Sequence, residues 1–223
     1  MPESGQRLLV IGAHADDETF GCGGTIALEI ARGTVVTVCC LTGNPARHQE
    51  LWAACGKLGA KVVAIEGPEQ SFTVAEATKT IIPVIQQVKP EVIISHSEYD
   101  YHPDHRVVQQ AVLQAAEWAG HSTQYKDLAW RPRRILSMEI NSLFPAPTLF
   151  VDITETIDQK EQAIRAYQSQ LRKTKDFYLS FNMHKASLRG VQAGCEYAEA
   201  FCEILFPVHG PFYAPSPTAK SVF

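Results

Sequence analysis

The chain has 223 residues and lacks any apolar run long enough to cross a bilayer. A spanning helix needs about 20 such residues. It also lacks an excess of either charge. Its 20 Lys and Arg stand against 24 Asp and Glu, interspersed, for a net charge of −4. That excludes the basic tracts that bind nucleic acid or an anionic membrane surface. None of its 6 cysteines forms a C-x-x-C pair. They read as buried free thiols, and a disulfide framework is not expected. The opening MPESGQRLLVIG has no basic segment followed by an apolar stretch and a cleavage site. The expectation is a cytoplasmic protein. No internal repeat and no long linker divides the chain, so one domain over residues 1–223 is expected.

What is present alternates between strand and helix. Arg7–Gly12 reads as a buried strand, and Glu18–Ala31 as the helix after it. The glycines Gly21, Gly23 and Gly24 let that helix approach the sheet, but the G-x-G-x-x-G spacing is absent from the turn. Thr34–Leu41 is apolar and β-branched, as a strand covered on both faces should be. A helix over Arg47–Leu58, a strand over Lys61–Ile65 and a helix over Val74–Val88, kinked at Pro83, follow. Glu91–Ser95 reads as a fourth strand and Asp104–Ala119 as the next helix. Gly120–Arg133 reads as a loop or lid. Further strands are expected at Arg134–Ile140 and Leu149–Ile153, with a long helix over Thr154–Leu171. Arg172–Gly194 reads as helix and loop, and Tyr197–Leu205 as helix or strand. The Pro- and Ser-rich tail reads as mobile. This pattern predicts an α/β fold, Rossmann-like, with a doubly wound, mostly parallel sheet and helices on both faces. The order 3-2-1-4-5 then sets strands one and four side by side at the switch point, where such sheets bind ligands.

Two polar segments leave those two strands. The first is Ala13-His14-Ala15-Asp16-Asp17-Glu18, and the second is His102-Pro103-Asp104-His105. An Asp before a helix often only caps it. One imidazole and two carboxylates on one turn also suit a divalent cation, with one position left for water. Adjacent Asp side chains diverge, so one can bind metal while the other faces substrate as a base. In the second segment Pro103 fits a first helical position. We assign His105 to the metal, completing a His-Asp-His set with His14 and Asp17. His102 then stands beside the metal, with Asp104 as its orienting partner. His96, His121, His184 and His209 have no supporting pattern and read as structural or surface residues.

These segments resemble the LmbE-like, or PIG-L, family of zinc-dependent N-acetylglucosaminyl deacetylases. The family pattern A-H-P-D-D-E stands here as AHADDE, with Ala15 replacing Pro, and H-P-D-H is matched outright. Weaker matches cover Gly43 and Arg47 to Glu50, then Asp152, Lys160 and Ser169-Gln170, and finally Gly194 to Phe201. The resemblance implies His14, Asp17 and His105 as ligands of one Zn2+, with Fe2+ fitting the same donors. It implies Asp16 as general base, His102 as acid or oxyanion partner, and Arg47 as a substrate contact. Tyr99 and Tyr101 are candidates to line the sugar site. The implied activity is hydrolysis of an N-acetyl group on a small amino-sugar conjugate, giving acetate and a free amine. Asp16 would take the water proton, and a protonated His102 would help hold the oxyanion.

Competing readings use the same residues. A related metal amidase would cleave a larger amide, such as a thiol-conjugate amide. A phosphoesterase needs a second metal, for which no second ligand set is visible. A non-catalytic nucleotide-binding module would carry a glycine fingerprint where this chain has carboxylates. A homo-oligomer is compatible with everything above.

Overall fold

The computed structural model describes residues 6–67 and 72–205. The Pro- and Ser-rich tail and His209 lie outside the described residues. The strands are β1 (Arg7–Gly12), β2 (Val35–Cys40), β3 (Lys61–Ala64), β4 (Val92–Ser95), β5 (Arg134–Met138), β6 (Leu149–Asp152) and β7 (Ala198–Ile204). The helices are α1 (Asp17–Ala31), α2 (Pro45–Leu58), α3 (Val74–Val88), α4 (Pro103–Ala119), α5 (Ser122–Tyr125), α6 (Ile157–Ile164), α7 (Gln168–Thr174) and α8 (Phe177–Ala193). The sheet has the order β3-β2-β1-β4-β5-β7-β6. Strands β3 to β5 are parallel, and β7 runs antiparallel to both β5 and β6.

The alternation within β1 explains the layers. Leu8 and Val10 face one core with Phe20, Ile26, Leu51 and Ile164. Leu9 and Ile11 face the other, with Ile81, Ile85, Val108 and Val112. A strand with helices on both faces has no solvent side, so its sequence is apolar throughout. The glycines of α1 serve close packing. A Cβ on Gly24 would stand 2.6 Å from Cδ1 of Ile153, and one on Gly21 would collide with Met138. Helix α1 is also broken at Cys22 (φ −148°, ψ 27°). The carboxylate of Glu199, from β7, accepts the freed N–H groups of Gly24 and Thr25 at 3.0 and 2.8 Å. It thereby caps the second half of the helix.

The structure sharpens four of these readings. The helix expected over Thr154–Leu171 is three pieces: a 3₁₀ turn at Thr154–Thr156, then α6, then α7. The last break falls at Tyr167, which is fully buried and tied to α1, so tertiary contact overrides helical continuity. Helix α3 runs through Pro83. The segment Gly120–Arg133 is no lid. It contains α5, and Trp130 Nε1 donates to Pro90 O at 2.7 Å, just before β4 and so at the opposite end of the sheet from the two polar segments. The stretch Tyr197–Leu205 contains a strand, not a helix. The cysteines are free, with Cys195 and Cys202 only half-buried.

Candidate active site

Strands β1 and β4 pair in parallel, so their carboxyl ends deliver the two polar segments to one crevice. The crevice is about 140 Å³ and is lined by His14, Asp16, Asp17, His102 and His105, with Arg47 and residues from α7 and α8 around them.

Asp17 lies at the centre. Its Oδ2 accepts the His14 backbone N–H at 2.8 Å and stands 3.5 Å from His14 Nδ1. Its Oδ1 is 3.3 Å from His105 Nε2. The outer nitrogens of both rings also meet carboxylates. His14 Nε2 is 2.9 Å from Asp104 Oδ2, and His105 Nδ1 is 3.0 Å from Asp100 Oδ2. Asp100 in turn accepts from the His102 backbone N–H at 2.9 Å and from the Asn141 side chain at 3.2 Å. Burial opposes charge on His14, but Asp17 and Asp104 outweigh it and lift its pKa to about 9. His105 behaves alike: burial opposes, Asp17 and Asp100 prevail, and its pKa rises to about 10. A donor set so rich in negative charge fits a divalent cation.

Donor atoms of His14, His102 and His105 lie within 4.8 Å of one another, and so do those of Asp17, His96 and His105. Hydrogen bonds distinguish among these groups. His96 Nε2 accepts the Ala13 backbone N–H at 2.8 Å, so that lone pair is used. His102 Nδ1 accepts the Asp104 backbone N–H at 3.2 Å, which caps α4. Neither group is the His14, Asp17 and His105 set read from the sequence, although Asp17 stands within 3.5 Å of a nitrogen of each of those two rings.

Asp16 stands at the N-cap position of α1, yet its side chain makes no capping bond. Its Oδ2 meets Arg47 Nη2 at 2.8 Å. Its backbone φ of 135° is rare for a residue with a side chain. Burial, then the charge of Asp17, raises its pKa to about 7, with Arg47 opposing. Arg47 also donates to the Ala15 carbonyl, to Glu50 and to Ser169. From the sequence Arg47 reads as a substrate contact; the structure shows it anchored on Asp16 as well.

Other placements differ from the expectation. The sequence pairs the Asp104 carboxylate with His102; in the structure that carboxylate meets His14, and the Asp104 backbone N–H donates to His102. Burial and the neighbouring His105 and His14 lower the pKa of His102, against the protonated ring expected from the sequence. Tyr99 and Tyr101 are 60% and 68% exposed and do not line the crevice. Asn141, Gln170, Lys173 and Tyr178 line it instead. His96, which reads as structural, is fully buried in the site and stacks on His105 with ring centres 4.0 Å apart. Its place directly after β4 at the switch point was the available signal. His121 and His184 stay outside, against Glu117 and the Ser180 carbonyl.

The fold and this crevice define an α/β protein with a metal-type His and Asp site at its switch point. Residues 9–116, just under half of the chain, match the PIG-L family, described as GlcNAc-PI de-N-acetylase. It is 28% identical over 191 residues to the Bacillus subtilis (strain 168) protein named probable N-acetyl-alpha-D-glucosaminyl L-malate deacetylase 2, covering 74% of this chain and 83% of that one. It is 27% identical over 216 residues to the 4-oxalmesaconate hydratase of Pseudomonas putida, covering 83% and 80% of the two chains. Among solved structures, a conserved protein of Thermus thermophilus superposes with a TM-score of 0.82 at 28% identity, covering 93% of this chain and 99% of that one.

Proposed function

We propose that this protein is a metal-dependent hydrolase that removes the N-acetyl group from an N-acetylglucosaminyl-type sugar conjugate, releasing acetate and a free amine. The observation that carries the reading is the convergence of His14 Nδ1, Asp17 and His105 Nε2 beside Asp16 at the ends of β1 and β4. The similarity to a named deacetylase supports it. We assign His14, Asp17 and His105 to one zinc ion; ferrous iron fits the same donors. A divalent cation held there supplies Lewis acidity toward water and toward the amide carbonyl.

The chain's own groups do the rest. Asp16 accepts the proton of the attacking water and returns it to the departing amine as the C–N bond breaks, and Arg47 aims its carboxylate. With Nδ1 of His102 occupied by the Asp104 amide, the neutral ring carries its hydrogen on Nε2. That N–H donates to the oxygen on which negative charge develops. Asp100 and Asp104 fix the ring orientations of His105 and His14. Asn141, Gln170 and Lys173 offer polar contacts to a sugar and its substituent.

A second reading has one observation behind it: the match to the hydratase runs over 216 residues, longer than that to the deacetylase. Hydration of a conjugated carboxylic acid also requires an activated water. One experiment separates the readings. Purified, metal-analysed protein is assayed for amine and acetate release on a panel of N-acetylglucosaminides and thiol-conjugate amides, and for hydration of unsaturated dicarboxylates by loss of ultraviolet absorbance. Amine and acetate in equal amounts from an N-acetylglucosaminide is the expected result. Metal-replete protein that only hydrates, or that cleaves only larger amides, overturns it.

A further inference from the structure

Behind Asp16 lies a buried network that the proposed chemistry does not use. The Glu18 carboxylate accepts the Asp16 backbone N–H at 3.2 Å, Thr19 Oγ1 at 2.5 Å and the Tyr167 hydroxyl at 2.5 Å. Tyr167 is fully buried, 149 residues further along the chain. It sits at the N-cap position of α7, with φ −83° and ψ 59°, where a continuous helix would otherwise run. The Arg47 guanidinium stands 5.9 Å from the centre of its ring. One side chain therefore touches both groups that fix Asp16. Its hydroxyl meets Glu18, which holds the Asp16 amide. Its ring lies under Arg47, which holds the Asp16 carboxylate and the Ala15 carbonyl.

Asp16 needs such support. At φ 135° a residue with a side chain is strained, and it stays there only when its surroundings over-determine it. We propose that Tyr167 is a positioning residue for Asp16, which acts through Glu18 to hold the strained turn that aims the carboxylate into the crevice. The break between α6 and α7 is the device that delivers it. A straight helix would not present Tyr167 to Glu18, nor start α7 where Gln170 and Lys173 reach the crevice wall. The inference rests on the base role given to Asp16 above.

The test is Tyr167→Phe in the full chain, which keeps the ring beneath Arg47 and removes only the hydroxyl. His14, Asp17 and His105 are untouched, so metal content should equal that of the wild type. The kcat should fall by up to about 10²-fold with KM unchanged, since a displaced catalytic group costs rate at constant binding. A crystal structure of the variant should show Asp16 turned away from φ 135° or its carboxylate off Arg47. An Asp16 that keeps its wild-type conformation in that structure overturns the inference. If the wild type releases no amine from any N-acetylglucosaminide, the proposed function fails, and the Asp16 conformation still decides this point. Should Tyr167→Phe not fold, Thr19→Val removes the other hydroxyl on the same Glu18 oxygen. The same crystallographic comparison then supports the inference if Asp16 moves and refutes it if Asp16 does not.

Discussion

The Asp104 carboxylate lies 2.9 Å from Nε2 of His14, 90 residues away in sequence. The two residues belong to different polar segments, and their contact ties one segment to the other. A carboxylate on the outer nitrogen fixes which ring nitrogen faces inward and raises its basicity. Asp100 stands in the same relation to His105, at 3.0 Å. Both imidazoles of the assigned metal set therefore have a carboxylate behind them.

Asp104→Asn and Asp100→Asn should each weaken metal binding by about 10–100-fold while leaving the three donors in place. Competition with a chelator of known affinity measures this directly, without any activity assay. Wild-type affinity in both variants would show that the rings are oriented by other contacts.

Removal of a donor should cost more. His14→Ala, Asp17→Ala and His105→Ala should each lose most of the bound metal, because each supplies one of only three protein bonds. His96→Ala tests the alternative group that contains Asp17, His96 and His105. It should retain metal stoichiometry, since its Nε2 is held by the Ala13 amide. Metal analysis after dialysis reads all four variants.

Asp16→Asn should keep the metal and the fold and lose about 10²–10⁴-fold in kcat, the usual cost of a missing general base. The amide still meets Arg47 but cannot take a proton. A metal-replete variant with near-normal kcat would move the base role elsewhere.

The order β3-β2-β1-β4-β5 and the meeting of the two polar segments were legible because they depend on local pattern and on handedness. Apolar runs separated by amphipathic helices allow few topologies. That His14, Asp17 and His105 reach one crevice was legible too, since the first segment directly follows β1 and the second follows β4 after a short loop. Tyr167 was not. Its role depends on a hydrogen bond to Glu18 across 149 residues, and its flanking sequence reads as helix. Tyr99 and Tyr101 read as a sugar wall because they are loop aromatics next to donor residues, and both are exposed in the structure. His96 reads as structural, and it is buried as such without a pattern of its own. Its meaning appears only once Ala13 is known to lie 2.8 Å from it.

A buried lysine away from the site gives a prediction about stability. Lys185 Nζ donates to the carbonyls of Glu139 at 2.7 Å and Phe20 at 3.2 Å. Burial, and then the charge of Lys160, lower its pKa from 10.5 to about 7. Between those values the unfolded chain binds a proton that the folded chain does not. Stability therefore rises with pH across that window. Lys185→Met removes this titration and leaves the Glu139 carbonyl without that donor. It should cost about 1–3 kcal/mol at pH 9 and less at pH 6, as read from urea melts of both proteins. A difference that does not change with pH would mean that Lys185 stays charged throughout.

His102 offers the sharpest separation of roles. It belongs to one geometric donor group with His14 and His105, yet its Nδ1 lone pair is taken by the Asp104 amide. As a metal ligand its loss would lower metal affinity. As an oxyanion donor its loss should leave metal content intact and lower kcat by roughly 10²–10³-fold. The pH profile adds an independent readout. Burial and the neighbouring imidazoles hold the His102 pKa below its ordinary 6.5, so the ring is neutral above that pH and donates through Nε2. The alkaline limb of the profile should therefore be the same in wild type and in metal-replete His102→Ala. On the acid side, protonation of the ring forces Nδ1 to give up the Asp104 amide and disturbs the cap of α4. His102→Gln keeps a neutral donor that does not titrate, and its acid limb should lie at lower pH than that of the wild type. An alkaline limb that disappears in His102→Ala would instead make the protonated ring the active form, as the sequence alone suggested.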